Sequence, residues 1–365
     1  MESKDNLRLI VMENCLEFGR KVDGHIKLMR DSLSDHIIKI KPERFSNSEG
    51  KVMLNESVRG NDVYLLSDIG NYSCTYQTYG MTHHYGNDEH FADIKRVINA
   101  INGTAERITV VTPLLYESRQ HRRKGMESLD AGMGLRELEF YGANGIITFD
   151  AHDPNVQNAL HNCTFDNLYP TYSILKIFIE NPDVNLANLL VISPDAGAID
   201  RARYYADMLK TDVGIYHKRR DFSKVVNGKN PIVAHEYMGA SVVGKDVLIV
   251  DDMIASGGSM LEVAKEMRER GANNIFLTVT FPLFSDGEKS VEAFNEAYKK
   301  EYFNKLYTTN LTYVPQYIKE LPWFKEIDCS KYLAKIINAI NNHESIEPYK
   351  NGKEKILKRV MEKRA

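Results

Sequence analysis

Two adjacent acids followed by small residues lie between positions 247 and 259, in the sequence VLIVDDMIASGGS. The apolar run 247–250 predicts a buried strand, with Asp251 and Asp252 at its carboxyl end, where open parallel sheets bind ligands. The small residues after them would let backbone N–H groups at the start of a helix approach an anion closely. These small residues are Ala255, Ser256, Gly257, Gly258 and Ser259. The pattern predicts a turn that binds a phosphate monoester.

The two acids in this segment need a different partner, because carboxylates repel a phosphate. Asp251 and Asp252 are expected to face the hydroxyls of a ribose or a Mg²⁺-bound water. The structural alternative is a strand–turn–helix whose glycines serve packing and whose acids cap the helix. Two acids beside five small residues favour a binding site over that alternative.

Two basic runs could supply cations for further phosphates. Residues 119–124, RQHRRK, contain five potential cations when His121 is counted, and arginine can bind phosphate oxygens through two parallel hydrogen bonds. Residues 217–220, HKRR, form the second run. Either run could instead be a solvated basic loop. The first run comes just after a predicted strand, at the carboxyl end of a parallel sheet, which favours phosphate binding there.

The elements that must position these segments alternate along the chain. Short β-branched runs predict buried strands, and the amphipathic stretches between them predict helices, of which the last ends at Gly271. This alternation predicts parallel, doubly wound sheets with helices on both faces. The predicted strands are 107–112, 145–150, 188–193, 213–216, 246–251 and 274–280, and the predicted helices are 129–141, 170–180, 198–210 and 258–270.

Length and composition limit the class of protein. A chain of 365 residues with 43% hydrophobic content suggests two domains. A formal net charge of −3 argues against nucleic acid or an anionic membrane as a partner. The four cysteines form no CxxC pair, and no run is apolar enough to span a bilayer. The expected location is the cytoplasm.

The segment 247–259 resembles the ribose-5-phosphate loop of phosphoribosyl pyrophosphate synthetases and of type I phosphoribosyltransferases. Other segments resemble the synthetases alone: NESVRGNDV at 55–63, RQHRRK at 119–124, ITFDAHDPNVQ at 147–157 and ISPDAGAIDRAR at 192–203. The resemblance implies two tandem α/β domains of the type I phosphoribosyltransferase-like fold. We expect an N-terminal domain over 1–165, a C-terminal domain over 166–345 and a charged tail over 346–365.

The resemblance also implies residues for ATP. They are Arg119 and Gln120 in the basic run, His152 after the strand 145–150, and Phe45, Asn47 and Glu49 in the adenine-binding turn. His152 is expected to contact Mg²⁺–ATP directly or through water, although a lone histidine is more often structural. Asp195 is expected to contact the metal or the ribose, and a helix N-cap is its structural alternative.

In the synthetases, a lysine and an arginine of the motif that matches HKRR lie on a mobile catalytic loop. The resemblance assigns those roles to Lys218 and Arg220, and we expect a polar loop from there to about Gly244. Cations that enter only when the site closes would stabilise charge in the transition state more than in the ground state. Lys218, Arg220 and His152 are therefore the expected catalytic residues.

The chain departs from the family's pattern at several places. Asn47 replaces an acid in the adenine-binding turn, and His121 stands where an acid is usual. Residues 70–86 form an insertion that reads as a surface loop. Asn47 can still donate and accept hydrogen bonds at an adenine or ribose edge.

The implied activity is transfer of the β,γ-diphosphoryl group of Mg²⁺–ATP to the C1 hydroxyl of ribose 5-phosphate, with Mg²⁺ as the cofactor. One alternative is a type I phosphoribosyltransferase, or a sensor of phosphoribosyl diphosphate built on that fold. Another is a non-catalytic synthetase-like subunit. The resemblance further implies a homo-oligomer, either a hexamer or a dimer.

Overall fold

The structure is a computed structural model that describes residues 6–220 and 232–364. The side chains of residue 41, residues 217–220 and residues 232–235 lie outside the description. Within these limits the chain divides into two compact units. The first comprises Met1–Pro170, Asn310–Tyr313 and Asp328–Lys350, and the second comprises Thr171–Thr309, Val314–Ile327 and Asn351–Ala365.

The strands are short runs rich in β-branched and aliphatic residues, and the central ones are buried on both faces. Such runs suit parallel strands that are covered by helices on each side. The strands are β1 (Leu7–Val11), β2 (Ile37–Ile38), β3 (Ile40–Arg44), β4 (Gly50–Leu54), β5 (Asp62–Leu66), β6 (Thr75–Thr78), β7 (Met81–His84), β8 (Arg107–Val111), β9 (Gly145–Phe149), β10 (Thr164–Leu168), β11 (Leu189–Ser193), β12 (Asp212–Arg220), β13 (Ile232–Met238), β14 (Asp246–Ile254), β15 (Ile275–Pro282), β16 (Lys305–Thr309) and β17 (Phe324–Ile327).

The longer helices each bury apolar residues on one face, as amphipathic helices on a sheet do, whereas α10 buries none. None of those in the described ranges is long and apolar enough to cross a membrane. They are α1 (Leu16–Arg30), α2 (Asn87–Ile101), α3 (Asp130–Tyr141), α4 (Thr171–Glu180), α5 (Ile199–Leu209), α6 (Gly258–Glu269), α7 (Glu288–Lys299), α8 (Gln316–Lys319), α9 (Ser330–Asn341), α10 (Glu347–Lys350) and α11 (Lys353–Arg364).

The main sheet of the first unit has the order β10-β9-β8-β5-β1-β2, and every neighbouring pair in it is parallel. The sheet of the second unit has the order β13-β12-β11-β14-β15-β16-β17 and is parallel except for the pair β12 and β13. Chain order reverses between β1 and β5 in the first sheet and between β11 and β14 in the second, as in doubly wound folds. The predicted α/β class, with two parallel sheets, is confirmed.

The unit boundaries differ from the expected domains. The segments 310–313 and 328–345, which we expected in the second domain, belong to the first unit. In that unit Arg30 of α1 donates to the side chains of Asn338 and Asn341 of α9, over 2.8 and 2.7 Å. Sequence order suggested a single crossing between domains, whereas the chain returns to the first unit after β16.

We expected residues 346–365 to form a charged tail, but most of them form two helices that belong to the two units. Residues 347–350 form α10 in the first unit, and residues 353–364 form α11 in the second. Ile356 and Val360 of α11 are buried in the core of the second unit. Two apolar residues spaced four apart are enough to fix one face of a helix that is otherwise Lys- and Glu-rich.

Part of the loop expected after residue 216 forms strands in the described residues. β12 continues to Arg220, and β13 pairs with it antiparallel where we expected a polar loop as far as Gly244. The apolar pattern stops at Tyr216, but the backbone bonds of β13 extend β12 beyond it. Such a partner leaves no mark on the hydrophobicity of β12 itself.

The insertion at 70–86 is a hairpin rather than an irregular loop. β6 and β7 pair antiparallel, with Thr78 opposite Met81. The two residues between them, Tyr79 and Gly80, have φ of +48° and +75°. Positive φ at both positions is typical of the type I′ turn, whose twist matches that of the flanking strands.

Candidate active site

The segment 247–259 of the second unit forms the predicted strand, turn and helix. β14 carries Asp251 and Asp252 near its carboxyl end, and α6 begins at Gly258. Gly257 is the N-cap and contributes no side chain, so no capping group covers the N–H groups of the first turn. The positive end of the helix dipole lies at this same turn. The turn can therefore receive an anion through its backbone.

Gly257 is required by its geometry. Its φ is +86°, and a Cβ atom added there would lie 2.3 Å from Cε2 of Phe294. Phe294 is fully buried in the core of the second unit, so it has no room to withdraw. Two independent constraints therefore fix glycine at the N-cap of α6.

The two acids differ in their surroundings. Asp252 is buried, with 3% of its surface exposed, whereas Asp251 is partly buried and its Oδ1 accepts a hydrogen bond from the backbone N–H of Asp252 over 2.9 Å. Burial, and after it the charge of Asp252, raises the pKa of Asp251, while Arg201 acts in the opposite direction. Hydroxyl donors or a cation at this place would favour the charged form.

Asp195 lies on the turn after β11. Its Oδ1 accepts from the N–H groups of Gly197 and Ala198, over 2.8 and 3.1 Å. The N-cap of α5 is Ala198, so Asp195 stabilises the turn before the helix rather than capping the helix. Both bonds use the same oxygen, which leaves Oδ2 available to a ligand.

In the first unit, the basic run and the histidine motif meet. The run lies on the loop between β8 and α3, and His152 and Asp153 follow β9, which neighbours β8. Arg122 Nη2 lies 3.2 Å from Asp153 Oδ2, and the rings of His121 and His152 are 5.1 Å apart between centroids. β8 and β9 are adjacent and parallel, so their carboxyl ends lie at one edge of the sheet.

Arg119 and Gln120, two of the predicted ATP contacts, differ in whether their side chains are free to bind a ligand. Arg119 is exposed, so its guanidinium is accessible to a ligand. Gln120 donates from Nε2 to the carbonyl oxygens of Arg122 and Ser128, over 3.2 and 2.8 Å. The amide nitrogen of Gln120 therefore holds the loop together.

Asp153 anchors the same region. Burial acts to raise its pKa, but hydrogen bonds from the Asn155 backbone and from Arg122 outweigh burial, and the pKa is lowered. Asp153 stays ionised and orients the exposed Arg122 and the ring of His121, whose Nε2 lies 3.6 Å away. Asp153 lies within the motif 147–157, but no role was predicted for it.

The expected adenine-binding residues lie on the turn that joins β3 to β4. Phe45 N donates to Glu49 O over 2.8 Å, and Asn47 Nδ2 donates to Glu49 Oε2 over 3.0 Å. Phe45 leaves 50% of its surface exposed, which is unusual for a phenylalanine and leaves its ring free to stack. Asn47, which replaces an acid of the family's pattern, is thus hydrogen-bonded to Glu49, the acid that remains in the turn.

Lys218 and Arg220 lie on the backbone of β12, but their side chains are outside the described residues. Across the described ranges, no group of three or more His, Cys, Asp and Glu side chains is arranged to hold a metal by itself. Arg201 of α5, which opposes the negative charge at Asp251, was missed by sequence reasoning. Its position in ISPDAGAIDRAR, eight residues beyond a predicted strand end, was the only available signal.

Comparison with known proteins agrees with this layout. Residues 7–142 match the family model of the N-terminal domain of ribose phosphate pyrophosphokinase, and residues 173–314 match that of the phosphoribosyl transferase domain. The chain belongs to the ribose-phosphate pyrophosphokinase family. Its pyrophosphokinase relatives include that of Buchnera aphidicola from Acyrthosiphon pisum, 29% identical over 332 residues, covering 90% of this chain and 96% of that protein.

Another pyrophosphokinase relative, from Staphylococcus epidermidis, is 26% identical over 324 residues, which are 87% of this chain and 92% of that protein. Among solved structures, the chain is similar to the phosphoribosylpyrophosphate synthetase from Mycobacterium smegmatis, with a TM-score of 0.75 and 22% identity. That match covers 93% of this chain and 99% of the other. It supports the pyrophosphokinase fold across both units.

Proposed function

We propose that this chain is a ribose-phosphate diphosphokinase. The C1 hydroxyl oxygen of ribose 5-phosphate bonds to the β-phosphorus of ATP as the bond from that phosphorus to the α-phosphate oxygen breaks. The products are AMP and 5-phosphoribosyl 1-diphosphate, and the hydroxyl proton is released. The protein's task in such a transfer is mainly positioning and charge stabilisation.

The observation that carries the proposal is the match of residues 7–142 to the N-terminal pyrophosphokinase domain, in addition to the match of the second unit. A phosphoribosyltransferase or a sensor of its substrate would use the turn at 255–259. Neither would account for the turn at 45–49 and the basic run at 119–124, which both lie in that N-terminal domain.

On the sugar side, we assign the 5-phosphate to the N–H groups and hydroxyls of the turn from Ala255 to Ser259. The N-cap glycine lets the phosphate approach the backbone, and the helix dipole favours its charge. The hydroxyls of the ribose are assigned to Asp251 and Asp252. A sugar hydroxyl is a good donor to a carboxylate that burial would otherwise push toward protonation.

On the nucleotide side, we assign the base to Phe45, Asn47 and Glu49 and the phosphates to Arg119 and its neighbours. His152 and Asp195 are the residues assigned to Mg²⁺, which would neutralise phosphate oxygens when bound with ATP. Mg²⁺ often binds through one or two carboxylates, several waters and the substrate phosphates, so a dedicated cluster of ligands is unnecessary. Lys218 and Arg220 are assigned to the oxygens of the transferring group.

The proposal includes a cytoplasmic location and a homo-oligomer. All four cysteines are free thiols, as expected for a reducing compartment. The oligomer is taken from the family resemblance, as a hexamer or a dimer, and the mass of the native particle in solution tests it.

A direct assay tests the activity. Purified protein is incubated with Mg²⁺, ATP and ribose 5-phosphate, and AMP and phosphoribosyl diphosphate are measured together. The proposal requires the two products in equal amounts and no AMP when ribose 5-phosphate is omitted. Folded protein that binds ATP but forms no AMP would instead be the non-catalytic subunit.

Asp251→Asn is expected to raise the KM for ribose 5-phosphate about tenfold and to change kcat less. The amide keeps the shape but loses the charge that accepts from the sugar hydroxyls, and a hydrogen bond to a charged group contributes roughly 1.5–3 kcal/mol. Steady-state kinetics with ribose 5-phosphate varied at saturating ATP measure it. Asp207→Asn, an exposed acid on α5, is the matched control. An unchanged KM would place the sugar elsewhere.

A further inference from the structure

The inserted hairpin donates two hydrogen bonds to the carbonyl of Ser46, in the turn from Phe45 to Glu49. Thr78, at the end of β6, donates from Oγ1 to Ser46 O over 2.8 Å. The backbone N–H of the next residue, Tyr79, donates to the same oxygen over 3.1 Å. Thr78 has only 4% of its surface exposed, so water does not compete freely for this contact. The tip of the hairpin therefore fixes the second residue of the turn.

The hairpin also surrounds the residue that precedes the turn. Arg44 forms two hydrogen bonds to Asp93, each 2.8 Å long. The centre of its guanidinium lies 4.9 Å from the ring centroid of Tyr85 and 5.7 Å from that of Tyr76. Contacts of this kind attract the guanidinium to the faces of both rings. Arg44 is thus held by α2 and by two rings at the base of the hairpin, one from β6 and one directly after β7.

The base of the hairpin is tied into the core of the first unit. The ring of Tyr85 stacks on that of His90, with centroids 5.0 Å apart. His90 is buried, and its two ring nitrogens lie 2.8 Å from Asn14 Nδ2 and 2.7 Å from Asn71 O. Because both nitrogens are engaged, the ring has one orientation. The hairpin is therefore a rigid support rather than a free surface loop.

We propose that this hairpin positions the nucleotide-binding turn and that Thr78 is its principal positioning residue. The inference rests on the proposed function, in which Phe45, Asn47 and Glu49 bind the adenine base of ATP. The turn spans only five residues between β3 and β4, and Asn47 is already bonded to Glu49 within it. The hydrogen bonds from the hairpin to Ser46 keep Phe45 and Glu49 in place before the nucleotide binds. Less conformational entropy is then lost on binding.

Thr78→Val is the primary test, because valine keeps the shape and removes the hydroxyl. The Kd of ATP and the KM for ATP are expected to rise about fivefold, as loss of about 1 kcal/mol implies. The kcat at saturating ATP and the KM for ribose 5-phosphate should stay within about twofold. Thr78→Ser restores the donor and should restore the affinity. If Thr78 had only a structural role, Thr78→Val would lower the melting temperature without raising the KM for ATP more than the KM for ribose 5-phosphate.

Thr82→Val is the matched control within the same hairpin. Thr82 accepts from Gln77 across the two strands over 2.7 Å and is exposed on β7. Its loss should leave both KM values unchanged. Tyr76→Leu, which removes one ring beside Arg44 and keeps both bonds to Ser46, should raise the Kd of ATP about twofold to threefold. This variant serves as the test if Thr78→Val fails to fold.

Calorimetric titration with ATP separates this inference from the proposed function. If the wild type binds ATP but forms no AMP, the proposed activity is wrong, and the Kd values still test the hairpin. If the wild type is active and neither Thr78→Val nor Tyr76→Leu weakens ATP binding, the hairpin does not position the turn. A wild type that binds no ATP would overturn both.

Discussion

Replacing Lys218 with alanine is expected to lower kcat at least about 100-fold, a loss of roughly 2.7 kcal/mol of barrier stabilisation. The transferred diphosphoryl group gathers negative charge on its non-bridging oxygens, and an ammonium placed against them acts mainly in the transition state. Lys218 lies on β12, opposite His235 in the antiparallel pair with β13. Initial rates of AMP formation, at saturating Mg²⁺–ATP and ribose 5-phosphate, measure the change.

Lys299→Ala is the control for this variant. Lys299 is 71% exposed on α7 and forms an ion pair with Glu296 of the same helix. Its loss removes the same charge and should leave kcat within about twofold of the wild type. If Lys218→Ala kept most of the wild-type rate, Lys218 would have no catalytic role, and Arg220 would be the next residue to replace.

Gly257→Ala is expected to destabilise the fold by roughly 2–4 kcal/mol and to raise the KM for ribose 5-phosphate more than about tenfold. The left-handed φ costs about 1 kcal/mol for any residue with a Cβ, and overpacking a core costs about 1–3 kcal/mol more. The new methyl group would collide with Phe294 and displace the start of α6. The free energy of unfolding in urea and the steady-state KM measure the two effects separately.

Gly271→Ala is the control that introduces backbone strain without a steric collision. Gly271 follows the C-terminal end of the same helix with φ of +90°, but a Cβ added there would meet its nearest neighbour at an ordinary 3.8 Å. This variant should lose only about 1 kcal/mol and leave the KM unchanged. Equal effects of the two substitutions would mean that the contact with Phe294 is unimportant for binding.

The central strands and helices were predictable because their local patterns are strong. The apolar run before Asp251 and the small residues after Ile254 indicate a strand, a turn and a helix without any long-range information. The structure places β14 and α6 over those residues. Gly271 likewise ends α6 where a C-cap was predicted, because only glycine adopts its φ at little cost.

Long-range pairing was not predictable from the same patterns. The return of α9 to the first unit depends on bonds between Arg30 and two asparagines more than 300 positions away. The extension of β12 depends on a partner strand across an intervening segment. At the candidate site, Arg201 and the bond from Thr78 to Ser46 depend on tertiary geometry. Polar residues of these types are common on protein surfaces, so their positions in the sequence do not predict these contacts.

The first unit is built from segments that are far apart in the chain. The buried carboxylate of Asp68 shows how this affects folding during synthesis. Asp68 accepts from Thr312 Oγ1 over 3.1 Å and from the backbone N–H of Tyr313 over 2.7 Å, and burial raises its pKa to about 7. Until residues 312 and 313 are made, this carboxylate lacks both donors, and α1 lacks α9. The N-terminal half therefore cannot complete its fold as it leaves the ribosome. It must wait for segments translated after most of the second unit.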